Sequence, residues 1–328
     1  MPVKLLLIFF ALLPGGLLAG FFVTYFRHRL SGELAAIALG LGVISNFLVI
    51  AILTLPSQFI HAGLPPISVP AGAFNDAFLM AAIPEEAAKF LLLMTIIRRH
   101  EDCDSGGDLF CSAVLIGLGF AAIENILYLD GSGTGWLSVG ALRSVLAVPG
   151  HAMFGIIMGY FAAVAQRETG RRRTRWQILA LICPIIAHGL YDFPLMAFDM
   201  VANDNAGTLV RFQDQLTYLR RLPYLELGVL VVGSVIAWLV ARQEMVAIYD
   251  ERSDIDLAPP SSRALRPWRV LGWAMIAGAC LCMAIAGWLL AREQGDGLYL
   301  FLCCIFPLTF GLIMQMRPRP RLAASPAG

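Results

Sequence analysis

The sequence predicts an all-α, polytopic transmembrane helical bundle. Only 14% of its 328 residues are charged and 58% are hydrophobic, where an ordinary soluble domain carries about 25% charge. Mean hydropathy is +0.73. Long apolar runs alternate with short polar joints, and about nine of those runs approach the roughly 20 residues a helix needs to cross a bilayer.

The expected spans are 5–26, 33–54, 79–97, 109–129, 143–165, 176–198, 223–241, 269–291 and 297–316. The first follows Lys4 and resembles a signal peptide. Its apolar stretch is too long for one and no clear cleavage site follows, so it reads as a retained helix. The segment 55–78 after the second span is rich in Pro and Gly, and Pro65, Pro66 and Pro70 argue against a single helix there. Spans three to six carry the unusual polar residues. The seventh is followed by a mixed-charge joint with the run Pro259-Pro-Ser-Ser262, expected to be a mobile cytoplasmic loop at 243–268. Spans eight and nine are separated by the short turn Glu293-Gln-Gly-Asp-Gly297. The chain therefore divides into a two-span segment with an outer loop (1–78), a four-span core (79–198), a three-span segment (199–316) and a disordered tail (317–328).

Charge orients the bundle. With the N-terminus outside, 17 of the 24 Lys and Arg fall in cytoplasmic joints, as the positive-inside rule requires. Arg143 sits at an outer helix end in that arrangement. Basic residues spread over membrane joints argue against nucleic-acid binding. The seven cysteines lie mostly in apolar runs with no CxxC pair, so they read as small buried hydrophobes. No internal repeat supports the inverted architecture of many transporters.

Function is concentrated in the core. Span three reads Ala81-Ala-Ile-Pro-Glu-Glu-Ala-Ala-Lys-Phe-Leu-Leu-Leu-Met-Thr-Ile-Ile97. Each of Glu85, Glu86 and Lys89 opposes insertion by about 2.5–3.5 kcal/mol, while an apolar residue returns about 0.3–0.6. Such groups face protein or trapped water and mark function. Span four holds Glu124 and Asn125, span five His151, span six His188 and Asp192. At about 1.5 Å per residue, all of them fall roughly 7–15 Å below one surface. Along the helices, Glu85 and Lys89 are i, i+4, as are His188 and Asp192, so each pair shares a face. His151, Gly155 and Gly159 form a stripe that admits a close neighbouring helix. Pro84 removes a backbone donor just before Glu85 and is expected to kink the helix there, freeing a carbonyl and admitting water.

Carboxylates, two imidazoles and an amide in one layer suit amide hydrolysis. A carboxylate takes a proton from water, and His or Asn donates to the developing oxyanion. The same groups suit Zn²⁺, although HExxH is missing. No Ser or Cys nucleophile lies in the layer with a base.

Glu85-Glu-Ala-Ala-Lys89 resembles the EExxK motif of the PrsW family of intramembrane proteases. Phe120-Ala-Ala-Ile-Glu-Asn-Ile-Leu-Tyr128 resembles its FxxxENxxY motif. His151 matches its isolated histidine, and His188-Gly-Leu-Tyr-Asp192 its HxxxD motif. The four occur in order over residues 80–198. The resemblance implies a glutamate-dependent endopeptidase, distantly related to the CAAX-processing and bacteriocin-immunity membrane proteases. Those relatives carry EExxxR, a histidine where Glu124 stands, and a final HxxxN, so this chain differs at Lys89, Glu124 and Asp192.

It further implies Glu85, Glu86, Glu124, His151, His188 and Asp192 as catalytic, with Lys89 and Asn125 supporting. Glu85 or Glu86 is then the base, with no cofactor. A zinc alternative would use Glu85, Glu124, His151 and His188. The implied partner, besides the lipid bilayer, is a single-span membrane protein such as an anti-sigma factor, cut near its extracytoplasmic side. The implied location is a bacterial inner membrane, with the C-terminus cytoplasmic. A proton-coupled transporter would instead string polar groups across the full depth, and a non-catalytic binding protein would leave its bound segment intact.

Overall fold

The computed structural model describes residues 2–26, 30–60, 69–202, 212–247, 261–292 and 296–316. The described residues contain helices and no strand. They form α1 (Pro2–Phe26), α2 (Gly32–Ile60), α3 (Val69–Phe74), α4 (Ile83–Thr95), α5 (Gly106–Gly131), α6 (Trp136–Val145), α7 (Ala147–Arg167), α8 (Gly170–Ala202), α9 (Phe212–Ala247), α10 (Ser262–Leu290) and α11 (Asp296–Met314). A π-helical stretch, Asn75–Ala82, joins α3 to α4.

Six of the described helical stretches are long and apolar enough to cross a membrane, and two shorter apolar stretches lie at Tyr224–Val240 and Leu300–Met314. These cover eight of the nine expected runs. The ninth, span three, is the acid-bearing segment, and it begins earlier than expected because helix already starts at Val69. Span five also differs: the chain breaks at Leu146, with φ −118° and ψ −65°, so α6 is a separate short helix before α7. Helix also continues through Ala247 and resumes at Ser262, which shortens the expected 243–268 loop from both sides. What remains of that loop, and the tail from 317, lie outside the described residues.

The spine of the bundle is α5. Residues Gly106 to Ala121 are all buried along it, a helix apolar all round and enclosed all round. Its start is fixed by a capping box: Ser105 Oγ accepts from the Asp108 N–H, and Asp108 Oδ2 accepts from the Ser105 N–H at 2.8 Å. Helices α1, α2 and α7 pack on α5, then α8 on α7 and α9 on α8, while α10 and α11 form a hairpin beyond.

The small-residue stripe on α7 does what its spacing implies. A Cβ at Gly155 would stand 2.7 Å from the Ala113 carbonyl, and one at Gly117 would stand 2.5 Å from the His151 carbonyl. At both positions backbone meets backbone, and nothing flexible can yield. Gly117→Ala should therefore push α7 off α5 at the turn carrying His151, costing about 1–3 kcal/mol by overpacking. A lowered unfolding temperature in detergent together with at least tenfold slower proteolysis checks this.

All seven cysteines are free thiols. In the joint before α5, burial, then Asp108 and Asp104, push the Cys103 thiol up to about 12, which leaves it inert.

Candidate active site

The chamber begins where the helix type changes. Pro84 follows directly on a π-helical stretch, with Ala82 and Ile83 both helical, so the residue without an N–H sits inside a continuous helix. Upstream the helix widens to i→i+5 bonding, and the Ile83 N–H reaches back to the Phe78 carbonyl. The disturbance expected at Pro84 takes the form of this widened stretch. π stretches of this kind are frequent at functional sites.

Lys89 stands at the centre of the polar layer. Its Nζ lies 2.7 Å from Glu86 Oε1, 3.4 Å from Glu85 Oε2 and 3.2 Å from His151 Nδ1. It also sits 3.9 Å above the Phe120 ring centroid, where the ring face attracts a cation. One ammonium therefore contacts both glutamates.

From α8, His188 Nδ1 contacts Glu86 Oε1 at 3.0 Å, and Nε2 contacts Asp192 Oδ2 at 3.1 Å. The i, i+4 spacing of His188 and Asp192 thus becomes a real pair. Phe154 of α7 stacks on the His188 ring at 4.5 Å and 16°, which fixes the plane of the imidazole. Glu85 Oε2 is 3.9 Å from His188 Nε2.

The second cluster lies on α5, α6 and α7. His151 Nε2 meets Glu124 Oε2 at 2.7 Å, and the same oxygen accepts from Arg143 Nη2 at 2.8 Å. Arg143 Nε donates to Asn125 Oδ1 at 2.7 Å, and its guanidinium lies 4.0 Å above the Tyr128 ring. Asn125 in turn donates to the Ala11 carbonyl of α1 at 3.1 Å. Asn125 is therefore spent on tying α5 to α1 and α6, and does not face the imidazoles. Lys89 joins the two clusters through His151.

Sequence reasoning missed Arg143. A lone basic residue at an outer helix end looks like an interfacial anchor. No helical spacing could have found it, because the chain breaks at Leu146 between Arg143 and His151. Arg143→Gln removes two charge-assisted hydrogen bonds of about 1.5–3 kcal/mol each. Proteolysis should fall by at least about tenfold. Lys at 143 should not restore it, because the forked contact needs a guanidinium. Steady-state kinetics on the two purified variants check the pair of expectations.

The site can also be tested for a metal. Glu85, Glu86 and His188 each offer one ligand atom, all within 4.8 Å of one another. Glu86 Oε2 is buried with no hydrogen-bond partner. Two carboxylates and an imidazole are a donor set that zinc accepts, so the residues fit a divalent cation. The set differs from the one expected from sequence: Glu86 takes part, while Glu124 and His151 are engaged with each other and with Arg143 and Lys89.

A helical membrane bundle that brings acids and imidazoles face to face in its interior has the layout of an intramembrane hydrolase. Comparisons with known proteins narrow the class. The family described as "PrsW family intramembrane metalloprotease" matches residues 31–213. A protein named Protease PrsW from Oceanobacillus iheyensis is 37% identical over 156 residues, 48% of this chain and 71% of that protein. Its namesake from Bacillus subtilis is 36% identical over 155 residues, 47% of this chain and 70% of the relative. That of Shouchella clausii is 33% identical over 192 residues, 58% of this chain and 84% of the relative. No solved structure matches the chain.

The chain belongs to the PrsW family of intramembrane proteases. It is an integral membrane protein and a peptide hydrolase. Most of α9 and all of α10 and α11 lie beyond the matched region.

Proposed function

We propose that Glu85, Glu86, Lys89, His151 and His188 form the hydrolytic centre, and that Glu85 is the general base. The observation that carries this is the convergence of α4, α7 and α8 on one set of contacts, with Glu124 of α5 behind it. Glu86 is fully enclosed and already holds Lys89 and His188. The Glu85 side chain keeps 12% exposure, so water can reach it.

Glu85 takes a proton from water as the oxygen attacks the peptide carbonyl. The carbonyl oxygen gains negative charge, which the His188 ring, held between Glu86 and Asp192, offsets electrostatically as an imidazolium. The C–N bond then breaks, and the proton on Glu85 passes to the leaving amine. His151, whose ring nitrogens meet Lys89 and Glu124, holds Lys89 in place beside the base. Lys89 keeps Glu86 and Glu85 from repelling each other.

The donor set favours a second reading. A resident zinc would be held by Glu85, Glu86 and His188, and would supply Lewis acidity to water or carbonyl. Loss of activity on chelation, restoration by Zn²⁺ and stoichiometric metal in the pure protein would select it.

The substrate on this reading is a single-span membrane protein, cut near its extracytoplasmic side, in the manner of an anti-sigma factor. The protein would reside in a bacterial inner membrane with the N-terminus outside and the C-terminus cytoplasmic. The depth of the polar layer and the arginines of joints 98–99 and 167–175 support this placement. Membrane proteomics of wild type against Glu85→Gln tests it: one precursor should accumulate in the variant. Identical membrane proteomes would overturn it, and so would a reporter fused at Glu168–Thr169, between α7 and α8, that reads extracytoplasmic, for the orientation.

A further inference from the structure

One buried acid has no part in the chemistry above. Glu226 of α9 is only 3% exposed, and both of its carboxylate oxygens lack a hydrogen-bond partner. It does not snorkel away from the core. Leu222 and Leu230, one turn to either side, are both buried. Leu222 packs with Ala197 and Val201 of α8, and further along the same stripe Gly233 meets the Met153 side chain of α7. Glu226 lies between these contacts on the same stripe, at the level of Tyr191 and Asp192. Counting one antiparallel turn inward from the contact of Leu222 with Ala197 and Val201 places Glu226 close to Asp192 in height along α8.

Asp192 is balanced by His188, whereas Glu226 faces no Lys, Arg or His partner among the described residues. A carboxylate enclosed without a counter-charge costs several kcal/mol or takes up a proton. The complement of two open oxygens beside a second acid is a cation, and a guanidinium satisfies both oxygens at once.

We propose that Glu226 forms an acidic subsite of the proteolytic chamber that takes a cationic side chain of the membrane substrate, arginine by preference. This rests on the reading of Glu85, Glu86 and His188 as the hydrolytic centre. The subsite lies beside Asp192, one turn or about 6 Å outward of His188 along α8. An extended chain covers that in about two residues. The recognised residue therefore stands about two positions to the outer side of the cleaved bond. Because α9 carries this acid beyond the family match at residue 213, the subsite sets selectivity and the chemistry stays in α4, α5, α7 and α8.

The test uses the full chain in nanodiscs with Glu85→Gln, so that peptides bind without being cut. The probes are single-span peptides with one arginine, or its neutral isostere citrulline, stepped along the outer flank. At one or two positions arginine should bind at least tenfold tighter than citrulline. Glu226→Gln should erase that preference, and Glu226→Asp should keep part of it. Equal binding at every position, no binding at all, or a preference that survives Glu226→Gln overturns the subsite. If the arginine preference holds but the chain with Glu85 intact cuts none of the peptides, the hydrolytic reading fails and the subsite stands.

Discussion

Glu85→Gln should lower peptide-bond cleavage about 100- to 10,000-fold, the usual contribution of a positioned base, while leaving thermal stability close to wild type. The amide keeps the shape, and Lys89 still has Glu86 at 2.7 Å. Glu86→Gln should also abolish activity, but for another reason and with another signature. Glu86 Oε1 is the shared acceptor of Lys89 and His188, so its loss frees two buried partners at once, and the unfolding temperature should drop. Unfolding scans run beside single-turnover cleavage separate the two effects. A Glu85→Gln protein that cleaves at the wild-type rate removes the base assignment.

Lys89→Met should be the most damaging substitution for stability. It leaves Glu85 and Glu86 side by side with only His188 between them and two acids. Removing one partner of a buried charge set costs about 3–5 kcal/mol, and here the ammonium also packs on Phe120. The same substitution opens the place where a cation already sits. Glu85, Glu86 and His188 lie within 4.8 Å of one another, so the variant should retain more Zn²⁺ after dialysis than wild type. Thermal unfolding with and without Zn²⁺ reads both effects. Unchanged stability without metal would mean that the ammonium is dispensable, and the account of the chamber would need another cation.

Much of this site was legible before the structure. Ionisable groups in apolar runs are costly enough to mark themselves, and their helical spacings imposed the Glu85–Lys89 and His188–Asp192 pairs. The glycines of α7 announced the close crossing with α5. Three features were hidden for physical reasons. Arg143 looks like an anchor because a cation at a helix end has a ready explanation in the headgroup region. The break at Leu146 leaves no mark in composition, since an apolar residue fits a helix and a joint equally well. The widened stretch Asn75–Ala82 is invisible to a period of 3.6, and prolines upstream suggested irregular chain instead. Glu226 could have been found by the rule used on span three: it is a single acid in the apolar stretch Tyr224–Val240. Nothing in its local pattern told which neighbour it would meet.

The widened stretch before Ile83 has one more effect. A π turn accommodates a residue that an α turn of the same height cannot. Tightening Asn75–Ala82 to ordinary winding without shortening it would swing everything upstream about 100° per surplus residue around the axis, and Phe78 would leave its seat on Gly189, beside His188. Deleting one residue there would instead let the winding relax with both flanks still aimed as before. The segment thus behaves like a spacer washer under a bolt head: its thickness, more than the identity of its residues, decides where the aromatic ring comes to rest.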